Sequence, residues 1–253
     1  MSDDAIEGSP ELAGRPFQRA ILPVERAAAA LEVILCSGFP TQLILITVLT
    51  TFGMKPVVAG GQLSPPFVFS LTLLDTAVLI GLILFFLRAH RESPREMFLA
   101  ARPHTRELLF GVALIPASFT VVVGVLLLLQ LVVPGLRNVP RNPLQDLAHT
   151  RANAVLFAVV VMIAGGVREE VQRAFVLRRF EQYLGGGALG LVLFSVIFGL
   201  GHLPQGHDVA IATAILGAFW GAIYLRRRSI LGPMVGHAGF NLAQVVKFIM
   251  VGA

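Results

Sequence analysis

The sequence is poor in charge. Aspartate, glutamate, lysine and arginine together make up 14% of its 253 residues, whereas a typical soluble domain has about 25%. Hydrophobic residues reach 55% and the mean hydropathy is +0.78, so the composition favours an integral membrane protein over a soluble one. The formal net charge of +5 does not indicate a nucleic-acid partner, because the basic residues lie mainly between apolar runs. There they orient the chain and meet anionic membrane lipid.

Cysteine is almost absent as well. Cys36 is the one cysteine of the chain, which excludes a disulfide framework and a cysteine-rich metal site. Its apolar neighbours favour a packed side chain in a helix. The sequence also lacks internal repeats and low-complexity tracts, so a single bundle accounts for the apolar part of the chain.

Long apolar segments predict an all-α fold. A membrane-spanning helix needs about 20 mostly apolar residues, and seven segments approach that length. We therefore expect a polytopic transmembrane helical bundle of about seven spans over residues 27–253, after a polar cytosolic leader at 1–26. Pro40 and Pro116 predict kinks, and Asp75 is expected to be structural, either paired with an arginine or placed at a kink. The apolar segments are 27–54, 67–87, 108–133, 152–180, 188–203, 209–225 and 230–250.

The basic residues predict the orientation of the bundle. If the N-terminus is cytosolic, the cytosolic segments carry thirteen lysines and arginines and the opposite side carries five. Because cytoplasmic loops retain an excess of these residues, the count favours a cytosolic N-terminus. Segment 88–106 alone contributes five arginines and marks the cytosolic side most clearly.

Polar side chains interrupt three of the later apolar segments. Glu169 and Glu170 follow a glycine-containing run, His202 closes a short apolar segment, and His237 and Asn241 lie within the last segment. A charge at the centre of a membrane helix costs at least ~2.5–3.5 kcal/mol, so such residues usually face a bundle interior or a wet cavity and act there. The sequence therefore predicts that these five side chains form a buried site.

Helical spacing relates several of these residues. His237 and Asn241 are four positions apart and share one helix face. Glu169 and Glu170 lie four and three positions before Arg173, so either carboxylate can pair with that arginine. A buried arginine requires such a partner, and the other carboxylate would stay free for chemistry.

The residue types favour a hydrolytic metal site. Imidazole and carboxylate groups suit a divalent ion such as Zn²⁺, whose catalytic sites keep one position open for water. A glutamate next to a metal-bound water can act as its general base. We expect Glu169, His202 and His237 to hold the metal.

The motifs resemble those of the CAAX-protease and bacteriocin-processing family (CPBP, formerly Abi) of intramembrane proteases. The resemblance covers roughly residues 150–245. It implies that a glutamate activates water, that two histidines hold the water or metal, and that an asparagine stabilises the oxyanion. It also implies a peptide or lipidated-protein substrate and a bacterial cell membrane, but no particular oligomeric state. The matching motifs are Glu169-Glu170-Val-Gln-Arg173, Phe198-x-x-x-His202 and His237-x-x-x-Asn241.

The first motif departs from the family pattern. In the family the arginine follows the second glutamate by four residues, whereas Arg173 follows Glu170 by three. Aligning on the arginine places Arg168 at the first glutamate position and Glu169 at the second. Aligning on the glutamates shifts the arginine by one residue, a rotation of ~100° on a helix. We favour Glu169 as the general base and place Glu170 second.

Two other functions stay open at this point. A non-catalytic immunity factor or membrane scaffold of the same family is favoured by the irregular first motif. A transporter or proton relay could use the same polar residues, but it would be expected to show inverted repeats or paired broken helices. The sequence has neither.

Overall fold

The computed structural model describes residues 20–99 and 102–251. The predicted all-α class is confirmed, since this part of the chain forms α-helices and no strand. Most of the predicted leader at 1–26 lies outside the described residues. The α-helices are α1 (Pro23–Leu35), α2 (Phe39–Thr51), α3 (Pro65–Ala89), α4 (Pro94–Phe98), α5 (His104–Val132), α6 (Arg151–Val161), α7 (Glu169–Tyr183), α8 (Gly187–Leu200), α9 (His207–Arg227) and α10 (Leu231–Val251).

A π-helix, Met162–Arg168, joins α6 to α7 without a break and is called the π segment below. It divides the apolar run predicted as one span at 152–180. Short 3₁₀ turns occur elsewhere in the connections, at Pro134–Leu136, Pro143–Ala148 and Leu203–Gln205.

The helices are apolar enough to make the chain an integral membrane protein. Helices α3, α5 and α9 have the length and composition of spans, and α1 with α2 would make a fourth. About seven spans are therefore not confirmed among the described helices. Helix α8 is shorter than a span, with 14 residues. In α10, His237, Asn241 and Lys247 lower the hydropathy. In α5 only 11% of the most apolar stretch is buried inside the protein. The rest of that stretch faces outward, as expected for a helix in contact with lipid.

The first apolar segment is broken between α1 and α2. The two helices meet at an angle of 42°, and Gly38 between them has a φ of 88°, a left-handed conformation that glycine adopts at little cost. The break comes just before Pro40, where we expected a kink. Helix α5, by contrast, continues through Pro116. At the break, the carbonyl of Cys36 accepts a hydrogen bond from Nε2 of Gln172 over 2.8 Å, so the break is tied to α7.

Helix α10 packs closely against α5 through small residues. A Cβ atom added to Gly111 would lie 2.6 Å from Cβ of Val235, and one added to Gly236 would lie 2.8 Å from Cβ of Leu114. Glycine at both positions lets the two backbones approach, as small residues do in membrane bundles. The close packing fixes the rotation of α10 about its own axis, and with it the direction of the neighbouring His237 side chain.

Charged residues away from the predicted site are also paired inside the bundle. Arg179 donates to Glu32 over 2.5 Å and to Glu92 over 2.8 Å. Glu107, 1% exposed, accepts from Arg227 over 2.6 Å. Such pairs avoid leaving a buried charge without compensation, which costs several kcal/mol, ~3–5 for a broken pair.

Candidate active site

The π segment brings α10 against the start of α7. A Cβ atom on Gly166 would lie 2.7 Å from Cβ of Ala238, and one on Gly165 would lie 3.3 Å from Nε2 of His237 and closer still to the Asn241 amide. Because both positions are glycine, His237 and Asn241 can approach the backbone that leads into Glu169. π-Helical turns inside α-helices occur frequently at functional sites.

Glu170 is the buried acceptor of the site. Its side chain is 1% exposed, and its Oε1 contacts Nη1 of Arg173 and lies 2.8 Å from Nδ1 of His237. Arg173 thus pairs within its own helix, with one of the two carboxylates that the spacing allowed. An ionised carboxylate can only accept hydrogen bonds, so Nδ1 of His237 is the donor in this contact.

Aromatic rings enclose this buried group. Trp220 stacks on the His237 ring with centroids 3.8 Å apart and an interplanar angle of 23°. The guanidinium carbon of Arg173 lies 5.1 to 5.6 Å from the ring centroids of Phe194, Phe198 and Trp220. Cation–π attraction at these distances stabilises the arginine. Sequence reasoning did not place Trp220 at the site, because one tryptophan in an apolar run has no spacing that links it to His237.

Glu169 is the more accessible carboxylate. Its side chain is 17% exposed. Oε2 lies 3.7 Å from Nε2 of His237, and Oε1 lies 3.6 Å from Nη1 of Arg168. Both distances exceed a direct hydrogen bond, so the carboxylate is held between two nitrogen groups without being tied to either. A water that bridged this contact would lie to one side of the line that joins the two groups.

Two cavities meet at Glu169. The first has a volume of about 350 Å³ and is lined by Glu169, His202, His237 and Asn241 together with apolar residues. The second, of about 370 Å³, shares Glu169 and His202 and extends to Asp75 on α3. Both volumes fall in the range of small-ligand sites. Glu169 therefore lines both cavities.

His202 and Asn241 reach the site from two different helices. His202 follows the C-terminus of α8, and its Nδ1 lies 2.8 Å from the Phe198 carbonyl, to which it donates. This leaves Nε2 as the free ring nitrogen. Asn241 donates from Nδ2 to the Val161 carbonyl over 3.4 Å. The structure thus gathers Glu169, Glu170, His237 and Asn241 at the π segment, and places His202 on the wall of the same cavities.

The predicted metal ligands do not form a ready-made metal centre. Among residues 20–99 and 102–251, no three His, Cys, Asp or Glu side chains are grouped so that they could hold an ion. Glu169 and His237 face each other at 3.7 Å, but His202 does not complete the set. Catalytic zinc sites use three protein ligands, so the residues as arranged do not fit zinc.

A charged pair that the sequence analysis missed lies beside Glu169. Arg168 donates from Nη2 to Oδ2 of Asp75 over 2.6 Å, across 93 positions of sequence. Asp75 is 2% exposed, so of the two roles we expected for it, pairing with an arginine is the one that occurs. No local spacing rule connects α3 to the π segment, so the sequence carried no signal for this particular partner.

Comparison with known proteins gives one match. Residues 151–243 match the family described as Type II CAAX prenyl endopeptidase Rce1-like. The matched segment contains the π segment and all five predicted site residues. No curated protein and no solved structure matches the chain.

Proposed function

We propose that this membrane protein is a protease and that Glu169 activates the water which hydrolyses a peptide bond of its substrate. The match of residues 151–243 to the Rce1-like family of type II CAAX prenyl endopeptidases confirms the resemblance seen in the motifs and supports this proposal. The observation that carries the proposal is the position of the Glu169 carboxylate. It is the one glutamate of the pair that lies at the junction of both cavities. Glu170 is instead occupied by Arg173 and His237.

The proposed reaction begins with a water between Glu169 and His237. Glu169 takes a proton from the water as general base, and the oxygen attacks the substrate carbonyl. The Asn241 amide donates a hydrogen bond to the oxyanion that forms, and His202 lines the cavity in which the carbonyl lies. The oxyanion then re-forms the carbonyl as the C–N bond breaks, and Glu169 gives its proton to the leaving nitrogen. The products are a carboxylic acid and an amine. Glu170 and Arg173 orient His237 throughout.

Zinc stays a proposal from the motifs. A divalent ion on Glu169, His202 and His237 would polarise the carbonyl and acidify the water, but it would require His202 to move into the ligand set. The steps given above use the side chains alone.

The cavities favour a substrate that is partly apolar. The first cavity is lined by Leu126, Phe157 and Phe248 as well as by the polar residues. We propose a membrane-associated peptide or a lipidated protein tail, bound with its apolar part in this cavity. We also propose that the N-terminus is cytosolic, that the membrane is a bacterial cell membrane, and that the shorter helices α6 to α8 and α10 complete about seven crossings.

Cleavage of a quenched farnesylated CAAX peptide by the purified protein tests this function. Glu169→Gln should reduce the rate at least ~10²-fold, the low end for a general base, while the fold survives. Glu96→Gln, at an exposed position of helix α4, serves as the matched control and should cleave like the wild type. If Glu169→Gln cleaves as fast as the control, the carboxylate is not the base. If the wild type leaves the peptide intact, a non-catalytic scaffold or immunity factor, which the irregular first motif favours, replaces the enzyme.

A further inference from the structure

We propose that Asp75 is a positioning residue which holds Arg168 away from Glu169 and so keeps the catalytic carboxylate free. The inference rests on the proposed role of Glu169 as general base. Asp75 on α3 and its partners Thr41 and Gln42 on α2 lie outside the matched segment 151–243. This part of the active site would therefore be contributed by the rest of the bundle.

One guanidinium lies between two carboxylates. Nη2 of Arg168 donates to Asp75 over 2.6 Å, whereas Nη1 stays 3.6 Å from Oε1 of Glu169. The guanidinium is therefore bound to Asp75 and only adjacent to Glu169. On its other side, Glu169 faces Nε2 of His237 at 3.7 Å.

Asp75 is itself fixed by α2. Its Oδ1 accepts a hydrogen bond from Oγ1 of Thr41 over 2.5 Å, and its Oδ2 also lies 3.4 Å from Nε2 of Gln42. With 2% of its surface exposed, the carboxylate has little access to water. A carboxylate with these donors keeps one orientation, and the arginine bound to it shares that constraint.

The break between α1 and α2 makes room for the arginine. A Cβ atom on Gly38 would lie 2.9 Å from Nη2 of Arg168, so a larger residue would displace the guanidinium. Arg168 is 8% exposed, and its Nε has no hydrogen-bond partner within the described part of the chain. The side chain is thus held mainly by Asp75.

Loss of Asp75 would redirect this cation. A buried arginine without a counter-ion is strongly unfavourable, and Glu169 is the nearest remaining carboxylate. Closing the gap of 3.6 Å would create a direct, charge-assisted pair. The base would then be occupied by Arg168 and turned away from the water beside His237.

Steady-state cleavage of the farnesylated peptide, expressed per folded molecule, tests this role. In Asp75→Asn, kcat should fall about tenfold or more, as displacement of a catalytic group by about 1 Å can do, while KM changes little. Adding Arg168→Gln removes the competing cation, so the double variant should regain most of the lost kcat. Glu107→Gln is the control, because it breaks another buried pair, with Arg227 at 2.6 Å, and should lower stability without changing kcat.

Each result separates this inference from the proposed function. If Asp75→Asn keeps the wild-type kcat per folded molecule, the pair is only structural and the inference is wrong. If the double variant stays as slow as Asp75→Asn, capture of Glu169 by Arg168 is not the cause and the inference is also wrong. In both cases slow cleavage by the Glu169→Gln variant would still support the proposed role of Glu169 as general base. A wild type that leaves the peptide intact overturns the function and the inference together.

Discussion

Nδ1 of His237 lies 2.8 Å from Oε1 of Glu170, the oxygen that also receives Arg173. This contact joins α10 to α7 and gives the two adjacent glutamates different environments. Glu170 is enclosed and already paired, whereas Glu169 opens onto both cavities. A division of roles follows, in which Glu170 holds the site together and Glu169 performs the chemistry.

Glu170→Gln should therefore act mainly on stability. The change leaves the Arg173 cation buried without a counter-charge, at a cost of ~3–5 kcal/mol. Thermal unfolding in detergent should show a lower Tm for Glu170→Gln than for Glu169→Gln. A second substitution, Arg173→Met, removes the stranded charge and should recover part of the loss. Equal Tm values for the two glutamine variants would contradict this division of roles.

Gly165→Ala should disturb the site from the backbone side. The added methyl group would overlap the Asn241 amide and lie 3.3 Å from Nε2 of His237. Overpacking of this kind costs about 1–3 kcal/mol, so both Tm and kcat should fall. The control is Gly124→Ala in α5, where an added Cβ meets nothing within 4 Å. Because alanine favours a helix interior over glycine by about 0.5–1 kcal/mol, Gly124→Ala should keep or slightly raise Tm and leave kcat unchanged. A harmless Gly165→Ala would mean that the close approach of α10 is not required.

Elemental analysis of the purified protein checks the metal prediction from the motifs. If zinc binds as the motifs propose, the wild type should contain one equivalent of zinc, and the His202→Ala/His237→Ala variant should lose it because both proposed histidine ligands are gone. Equally little zinc in the two proteins would contradict the proposed three-ligand site.

Cysteine labelling checks the orientation. Glu96 is exposed in the arginine-rich connection between α3 and α5, whereas Cys36 is fully buried. In a Cys36→Ser background, Glu96→Cys should react with a membrane-impermeant maleimide only after the cells are opened, because this connection is expected to be cytosolic. Rapid labelling in intact cells would reverse the proposed topology.

The Glu181–Arg228 pair predicts an acid-sensitive contribution to stability. Burial raises the pKa of Glu181, but its hydrogen bond with Arg228 and the positive charge of Arg228 outweigh that effect and hold the pKa below its ordinary value. The folded state therefore binds this proton less readily than the unfolded chain does. The stabilisation is present above the unfolded pKa and is lost as the pH falls through the folded pKa. The Tm difference between wild type and Glu181→Gln should accordingly shrink on acidification; a constant difference from neutral to acidic pH would argue against it.

The sequence predicted those parts of the site that depend on local spacing. His237 and Asn241 share a face of α10 because they are four residues apart, and Arg173 found its carboxylate within its own helix turn. The all-α class followed from the long apolar runs. These features need only the periodicity of a helix and the cost of burying an unpaired charge.

The features that were missed depend on tertiary contacts. The Asp75–Arg168 pair joins two helices that are far apart in sequence, and Trp220 meets His237 only because α9 packs beside α10. The number of spans is also not confirmed, because three or four of the described helices have the length and composition of spans and the remaining apolar helices are shorter or carry polar residues. The polar residues that reveal a membrane site, such as His237 and Asn241, also lower the hydropathy of the helix that carries them.

The π segment has a consequence for comparing this chain with other sequences. In a regular α-helix, one extra residue rotates every later side chain by ~100° about the helix axis. A π-helix has wider turns and can contain the extra residue without that rotation. Met162–Arg168 therefore uncouples the angular phase of α7 from that of α6. In this geometry the glutamates that follow the π segment face α10. The number of residues between α6 and a glutamate of α7 is therefore a poor guide to which glutamates are equivalent in two proteins. The better guide is which carboxylate contacts the histidine at the position of His237.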